Sequence, residues 1–591
     1  MKKLFKGAAF IGIVTVVSKM IGAFYRIPLT NIIGAEGIGI YQMVFPLFSV
    51  LFTISAGGIS GSIAKSVKIR FDRGDEKGAR QVFFVALSTL TVFALIFTLF
   101  IVLMRERLAF IQGNSSASLP YLAIAPALIF SSVIACFRGY FQGRQNNLPS
   151  ASSMLIEQFV KLGLGLFLAR YLLQYSLSFA VFGALMGVAL GELVSLLSLL
   201  AVFLVQHFRY KKRTVIKLGR REKGEGNREI AEANIVRSGL SFEQSSRRSM
   251  TAPTSTASKN QNDSNNNSSF LIPHSSLIAQ SFLALSLSPL TYKQRNTQPI
   301  LKELFSSAAP LIFASLIMPF VAFIDSIMVI NILTSSGAAT SDATAMFGLL
   351  NGPINSLINM PLVITFALST TLVPKVRDCL KEEKPICENV GKHLKFSIII
   401  SILAVLILGI YAHSILNTIY YQGLTSSQIR LGALLLSVKS VAVFYVALIQ
   451  ISSGVLESAN LSHKGAKNLL LGAVLKIILT LILLPYIGVI GAVVGTVACF
   501  SLTAILNIIV MKKHVKFNLK IREVIIAPLL SGIIFALISV FAVRYLPQFL
   551  PSTIALLVSL VIGGLVYVAC LFLFRAIKKP EIINLVKKQK K

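Results

Sequence analysis

The chain of 591 residues is 54% hydrophobic and only 14% charged, with a mean hydropathy of +0.75. Soluble globular proteins carry about 25% charged residues, so this composition excludes an ordinary soluble domain and indicates a protein that crosses a bilayer many times. The net charge of +34 could suggest nucleic acid as a partner, but the basic residues are sorted along the chain in the way that membrane topology requires, so we expect no nucleic-acid partner.

Windows of about 20 apolar residues predict an all-α polytopic fold with about fourteen transmembrane helices. The predicted spans cover residues 6–33, 38–64, 81–103, 119–141, 151–173, 178–206, 304–333, 343–373, 391–415, 428–457, 465–486, 488–511, 523–546 and 553–575. Prolines interrupt several of them, and a proline within a helix removes a backbone hydrogen bond and bends the helix. These bends could be static kinks or could serve alternating access.

The lysines and arginines fix the predicted orientation. Of the 57, 47 fall in segments on one side of the membrane and five lie within spans, so the side with the 47 is the cytoplasmic side. Five arginines fall on the other side, at Arg105, Arg107, Arg170, Arg430 and Arg544. We therefore expect both termini to be cytoplasmic.

The segment from 207 to 300 differs in composition from the rest of the chain. It is basic and then rich in Ser and Asn, so it cannot bury enough apolar surface to fold, and we predict a disordered cytoplasmic linker. Residues 270–290 are apolar, but another crossing would invert the charge bias of every later loop. The basic tract could also bind anionic membrane lipids.

The two sides of this linker resemble each other. Gly139 to Lys161 has the length and layout of Gly454 to Lys476, and the small-residue pattern at 183–187 recurs at 491–495. We predict an N-lobe of six spans (1–206), a C-lobe of six spans (301–513) and a final region (514–591) with two spans and a basic cytoplasmic tail. Parallel repeats of this kind enclose a central cavity. Chance similarity between glycine-rich spans is the alternative.

Charged residues inside the spans are the main functional signal. Lys19 and Arg26 are seven residues apart, so both lie on one face of the first helix. A charge at the centre of a lone span costs at least ~2.5 kcal/mol, so such residues usually face a polar cavity. They could instead snorkel or pair structurally. The predicted cavity cations are Lys19, Arg26, Lys161, Lys439 and Lys476.

Acidic and amide side chains complete the predicted site. Glu157, Glu192 and Asp325 are predicted to pair with cations or to bind a coupling ion; Glu157 and Lys161, at i and i+4, could simply neutralise each other. Asn351, Asn355 and Asn359 form one polar stripe suited to sugar hydroxyls or to helix contacts. The excess of cations suits an anionic ligand such as a phosphate.

The sequence offers little sign of enzymatic chemistry. No metal-ligand spacing occurs, and the predicted external loops are too short for a catalytic site. We therefore expect neither a metal nor a cofactor, and no catalytic residues. Transport could be coupled to the membrane potential, to H⁺ or to Na⁺.

Three segments, SKMIGAFYRIPLTNIIGAEGIGIYQMVFPLF, FRGYFQGRQNN and LESANLSHKGAKN, resemble the stage V sporulation protein B branch of the polysaccharide transporter family. This family lies in the multidrug/oligosaccharidyl-lipid/polysaccharide flippase superfamily. The family pattern S-R-x-x-G-x-x-R is matched by Ser18, Lys19 and Gly22, whereas Tyr25 takes the second arginine's place and Arg26 follows it.

The resemblance implies a flippase of the bacterial cytoplasmic membrane. It would move undecaprenyl-pyrophosphate-linked oligosaccharide, a peptidoglycan or spore-cortex precursor similar to lipid II, outward by alternating access, with cell-wall synthesis enzymes as further partners. One alternative is a cation-coupled exporter of drugs or other small molecules. Another is a membrane scaffold for cell-wall assembly that transports nothing.

Overall fold

The computed structural model describes residues 2–206, 298–382, 388–517 and 521–577, and within these ranges it contains helices and no β-strand. The predicted linker lies almost entirely outside the described residues, as does the basic tail beyond residue 577. The chain divides into two units, one of residues 1–199 with 296–591 and one of residues 200–295. Both lobes and the last two spans belong to the first unit.

The helices follow the predicted spans closely. In the N-lobe they are α1 (Lys2–Ser55), α2 (Ile59–Asp72), α3 (Glu76–Ile111), α4 (Ser118–Gly143), α5 (Leu148–Leu172) and α6 (Leu177–Gln206). In the C-lobe they are α7 (Gln298–Ser335), α8 (Thr340–Leu349), α9 (Asn355–Lys381), α10 (Glu388–Ile410), α11 (Ala412–Tyr420), α12 (Ser426–Ser458), α13 (Ser462–Ile487) and α14 (Val489–His514). The last two are α15 (Ala527–Tyr545) and α16 (Ser552–Leu573).

Among the described residues, 13 helical stretches are long and apolar enough to cross a membrane. The first stretch, Val14–Asp72, contains two predicted spans, because α1 is broken at Gly34. Gly34 has φ 68° and ψ −174°, a conformation that residues with a Cβ rarely adopt. The prediction of about fourteen spans is therefore confirmed, with a single glycine separating the first two.

The eighth predicted span is also interrupted. A π-helical segment, Leu350–Ile354, joins α8 to α9 and contains Pro353. Proline has no N–H to donate, so the ordinary hydrogen-bond ladder cannot continue through it, and the wider π turn accommodates the defect. This irregular turn lies beside the predicted asparagine stripe.

Two helix pairs, one in each predicted lobe, share a close glycine contact. A Cβ atom added at Gly183 of α6 would lie 2.7 Å from the backbone of Leu168 in α5, and one added at Gly491 of α14 would lie 2.7 Å from the backbone of Leu483 in α13. Leu168 and Leu483 occupy equivalent positions in the aligned repeats. The α5–α6 and α13–α14 pairs are thus built on the same close contact.

The lobes also contact each other directly near the Gly34 end. Asn31 Nδ2 donates a hydrogen bond to the carbonyl oxygen of Ile419 at 2.9 Å, and Asn114 Nδ2 donates to Thr344 Oγ1 at 2.9 Å. At the other end of the space between the lobes, Arg70 near the end of α2 pairs with Glu303 of α7 at 2.9 Å. These contacts enclose the space between the lobes.

Candidate functional site: a cationic cavity between the lobes

A cavity of about 340 Å³ lies between the N-lobe and the C-lobe; we refer to it as the cationic cavity. Its lining combines α1 and α5 of the N-lobe with α9 and α12 of the C-lobe. The lining residues used below are Lys19, Arg26, Lys161, Asn359, Phe366 and Gln450. Three of the five predicted cavity cations are therefore together in one place, although Lys161 is 135 residues or more from the other two in sequence.

No acidic side chain of the described residues lines this cavity. Lys19 Nζ lies 3.8 Å from the centroid of the Phe366 ring, and Lys161 Nζ lies 5.1 Å from the Tyr25 ring centroid and 5.7 Å from that of Phe45. Ring faces attract cations but do not cancel their charge. The cavity therefore holds an uncompensated positive charge that can bind an anion.

The C-lobe half of the cavity wall provides polar groups. Asn359 is exposed, and Gln450 Oε1 accepts a hydrogen bond from Thr365 Oγ1 at 2.5 Å, which holds the amide at the wall. Amide groups donate to and accept from hydroxyls equally well. Anion-binding and hydroxyl-binding groups thus face the same space.

A second cavity, of about 240 Å³, lies within the C-lobe. Its lining includes the other predicted site residues of this lobe, namely Asp325, Asn351, Asn355, Asn359, Lys439 and Lys476. Asn359 also lines the cationic cavity, so the two spaces adjoin.

Each cation of the C-lobe cavity has hydrogen-bond or ion-pair partners within the protein. Lys476 forms an ion pair with Asp325, and both residues are buried. Lys439 Nζ donates to Asn355 Oδ1 at 2.7 Å and to the carbonyl oxygen of Leu350 at 3.3 Å. Asn355 Nδ2 in turn donates to Asn351 Oδ1 at 3.1 Å. Two of the three asparagines are therefore used in contacts within the protein, and Asn359 is the one left facing open space.

Equivalent lysines of the two repeats thus have different surroundings. Lys476 forms an ion pair with a carboxylate, whereas Lys161 lies over the rings of Tyr25 and Phe45 and forms no ion pair with a carboxylate of the described residues. Since the helices carrying them pack alike, the difference comes from the neighbouring helix, which supplies Asp325 in the C-lobe and Tyr25 in the N-lobe. The N-lobe side of the interface is positive for this reason.

A third cavity, of about 340 Å³, lies inside the N-lobe and is lined by Glu157 and Glu192; we refer to it as the acidic cavity. Glu157 pairs with Arg138 at 2.9 Å. Of the possibilities left open for Glu157, the structure shows pairing with a cation, but the cation is Arg138 of α4 rather than Lys161 of the same helix.

Sequence reasoning missed three residues of these cavities. Arg138 lies inside the predicted fourth span but close to its end, so its charge was assigned to the adjacent cytoplasmic loop. Gln450 and Phe366 carry no charge and do not stand out in an apolar span. Arg138 could have been found by counting every charge within a predicted span.

The comparisons with known proteins agree with this architecture. Residues 4–221 match the family described as "Polysaccharide biosynthesis protein". Over 98% of its length the chain is 26% identical to Stage V sporulation protein B of Bacillus subtilis (strain 168), covering 96% of that protein. It is 21% identical to Lipid II flippase MurJ of the same organism, over 96% of this chain and 95% of the relative.

A solved structure shows the same fold. The structure titled "Lipid II flippase MurJ, inward closed conformation" superposes with a TM-score of 0.61 at 13% sequence identity, covering 95% of this chain and 98% of that chain. The predicted resemblance to the polysaccharide transporter family and the all-α transporter fold are thereby confirmed. The chain is a multi-pass membrane protein with this all-α fold.

Proposed function

We propose that this protein is a flippase that moves undecaprenyl-pyrophosphate-linked oligosaccharide, a lipid II-like peptidoglycan or spore-cortex precursor, outward across the bacterial cytoplasmic membrane. The pyrophosphate and sugar would enter the cationic cavity while the polyprenyl chain stays in the lipid. The named activity of the MurJ relative supports this substrate class.

The observation that carries the proposal is the unbalanced charge of the cationic cavity. Lys19, Arg26 and Lys161 line it without a carboxylate among the described residues. Charges within a membrane protein are costly, so their retention without internal compensation indicates an external partner of opposite sign. Pyrophosphate is such a partner, because several of its oxygens can accept charge-assisted hydrogen bonds at once.

The side chains suit different parts of the substrate. Arg26 offers a planar, bidentate donor for a phosphate, and Lys19 and Lys161 supply point charges. Asn359 and Gln450, on the C-lobe wall, are placed for the sugar hydroxyls. A ligand bound to both walls would couple its binding to the relative position of the two lobes, as alternating access requires.

The membrane potential would assist this transport. An anionic headgroup moving outward from a negative interior gains roughly 2.3 kcal/mol per charge for each 100 mV. In this scheme the contacts at the Gly34 end, among them Asn31 with Ile419, separate to release the cargo outside. Both termini would remain in the cytoplasm.

A flipping assay tests the proposal. Purified protein in liposomes should expose labelled lipid II to an external probe, and Arg26→Ala should slow this at least tenfold because the bidentate phosphate contact is lost. The matched control is Arg170→Ala, which removes an exposed arginine of α5 outside the cavity. Normal flipping by the Arg26 variant would contradict the proposal.

The same assay separates the alternatives. A non-transporting scaffold would expose no lipid II in liposomes at all. A multidrug exporter would transport a cationic dye instead, and the positive charge of the cavity disfavours such a substrate.

A further inference from the structure

The carboxyl groups of the acidic cavity do not line the cationic cavity and make no direct contact with the anion proposed above. The acidic cavity lies inside the N-lobe and is lined by Arg138 of α4, Glu157 of α5 and Glu192 of α6, with Ser131 of α4. Arg138 already has three partners: it pairs with Glu157 at 2.9 Å and donates to Ser153 Oγ at 3.0 Å and Ser195 Oγ at 3.3 Å. Glu192 is therefore the carboxyl group of this cavity that lacks a cation as its partner among the described residues.

Glu192 is also buried, with 7% of its surface exposed. An isolated ionised carboxylate in an apolar interior is very unfavourable, and such a group tends to keep its proton. The charged groups that face it are Glu157 and Lys161 of α5 and Arg138 of α4. Glu157 is a like charge, Arg138 is already paired with Glu157, and Lys161 forms no ion pair with Glu192, so no cation among the described residues is in direct contact with the Glu192 carboxyl group.

The hydrogen-bond geometry around Ser131 points the same way. Its hydroxyl oxygen lies 2.5 Å from the carbonyl oxygen of Ala127 and 2.6 Å from Glu192 Oε2. A serine hydroxyl has one hydrogen, and a carbonyl oxygen can only accept. With Glu192 ionised, Ser131 can donate to Glu192 or to Ala127 but not to both; with Glu192 protonated, the acid donates to Ser131 while Ser131 donates to Ala127, so both short contacts are hydrogen bonds.

The acidic cavity and the cationic cavity share one turn of α5. Glu157 lines the first and Lys161, four residues later, lines the second. Gly191, the residue before Glu192 on α6, packs against this turn of α5. A Cβ at Gly191 would lie 2.8 Å from the carbonyl oxygen of Glu157 and 3.5 Å from Lys161 Cβ. A change in the charge of Glu192 is therefore felt at Lys161.

From these contacts we infer that Glu192 is a proton-binding site and that its protonation state sets the affinity of the cationic cavity for pyrophosphate. When Glu192 is neutral, Lys161 is free to bind the anion. When Glu192 loses its proton, its negative charge repels the anion and competes for Lys161. At a separation on the order of 10 Å and an effective dielectric of about 20, one such charge changes the dissociation constant by roughly tenfold. The identity of the anion rests on the proposed function, whereas the proton-binding site does not.

Infrared spectroscopy of the purified protein tests the proton directly, because a protonated carboxyl group has a C=O band separate from that of a carboxylate. We expect a protonated carboxyl band at neutral pH that disappears in Glu192→Gln. The variant should fold, since the amide mimics the protonated acid. Ser131→Ala should shift the band by removing its acceptor, and Glu106→Gln, at a side chain that is 76% exposed, should leave it unchanged. The absence of this band in the native protein, or its persistence in Glu192→Gln, overturns the inference.

Binding of inorganic pyrophosphate tests the link between the protonation state of Glu192 and the affinity of the cationic cavity. The ratio of the native dissociation constant to that of Glu192→Gln should rise about tenfold as the pH is raised, because only the native protein acquires the repelling charge. Use of the ratio removes the contribution of the ionisation of pyrophosphate itself. A constant ratio at all pH values overturns the link. If neither protein binds pyrophosphate, the proposed function fails and the link fails with it, while the infrared result still decides whether Glu192 binds a proton.

Discussion

At the scale of single residues, the function depends on which charges have partners. Lys161 and Lys476 occupy equivalent positions, yet one faces a cavity shared by both lobes and the other is paired with Asp325. An ion pair buried in an apolar surrounding is stable only while both charges are present. The residues of the C-lobe pair are therefore expected to act through stability, whereas the proposed function predicts that Lys161 acts through binding of the ligand.

This distinction predicts a difference between single and double substitutions. Lys476→Met leaves the Asp325 carboxylate buried and unpaired, so we expect the unfolding free energy in detergent to fall by about 3–5 kcal/mol. Lys476→Met combined with Asp325→Asn removes both charges and should recover most of the loss. Thermal unfolding of the four proteins of this double-mutant cycle measures the coupling, and additive effects would contradict the pairing.

At the scale of elements, glycines decide how closely the helices approach. A Cβ at Gly187 of α6 would clash with the backbone of Gly165 in α5, whereas a Cβ at Gly163, on the same helix α5, would meet nothing within 4 Å. The α5–α6 contact holds Glu192 beside Glu157 and Lys161. Gly187 thus helps to position the side chains that line the acidic cavity and the N-lobe wall of the cationic cavity.

We therefore expect Gly187→Ala to destabilise the protein by about 1–3 kcal/mol, because overpacking forces the two helices apart. The control, Gly163→Ala, should be neutral or slightly stabilising, since alanine favours a helix more than glycine does. Chemical or thermal unfolding in detergent measures both variants. Equal stability of the two proteins would show that the close approach is not required.

At the scale of the whole molecule, the contacts between lobes enclose the cationic cavity. The Gly34 end is held by hydrogen bonds such as the one from Asn114 to Thr344, and the other end by the ion pair between Arg70 and Glu303. Transport by alternating access requires contacts of this kind to open in turn. A bond that cannot open should therefore stop the cycle.

A cross-link tests this requirement. In a chain whose five native cysteines are replaced by alanine, we expect Asn114→Cys with Thr344→Cys to form a disulfide that blocks flipping of lipid II and to regain activity when reduced. Each single cysteine variant is the control and should flip lipid II whether oxidised or reduced. Full flipping by the oxidised double variant would argue against an opening at this end.

Much of the fold could be predicted from the sequence alone. The number of spans and the break between the first two follow from hydropathy, because the cost of exposing apolar or charged groups to the wrong solvent is a local property of each segment. The cationic stripe of α1 is of the same kind, since Lys19 and Arg26 share a face on any helix. These features would survive a different arrangement of the helices.

The partners of the charges were decided by the tertiary structure. No pattern in the sequence shows that Lys476 meets Asp325, 151 residues away, or that Arg138 rather than Lys161 takes Glu157. Such pairings depend on the rotation and tilt of helices that approach one another only in the folded chain, where a shift of one residue turns a side chain by about 100°. The sequence alone thus determined that charges would lie within the membrane, and only the packed structure decided which of them remain free to bind a ligand.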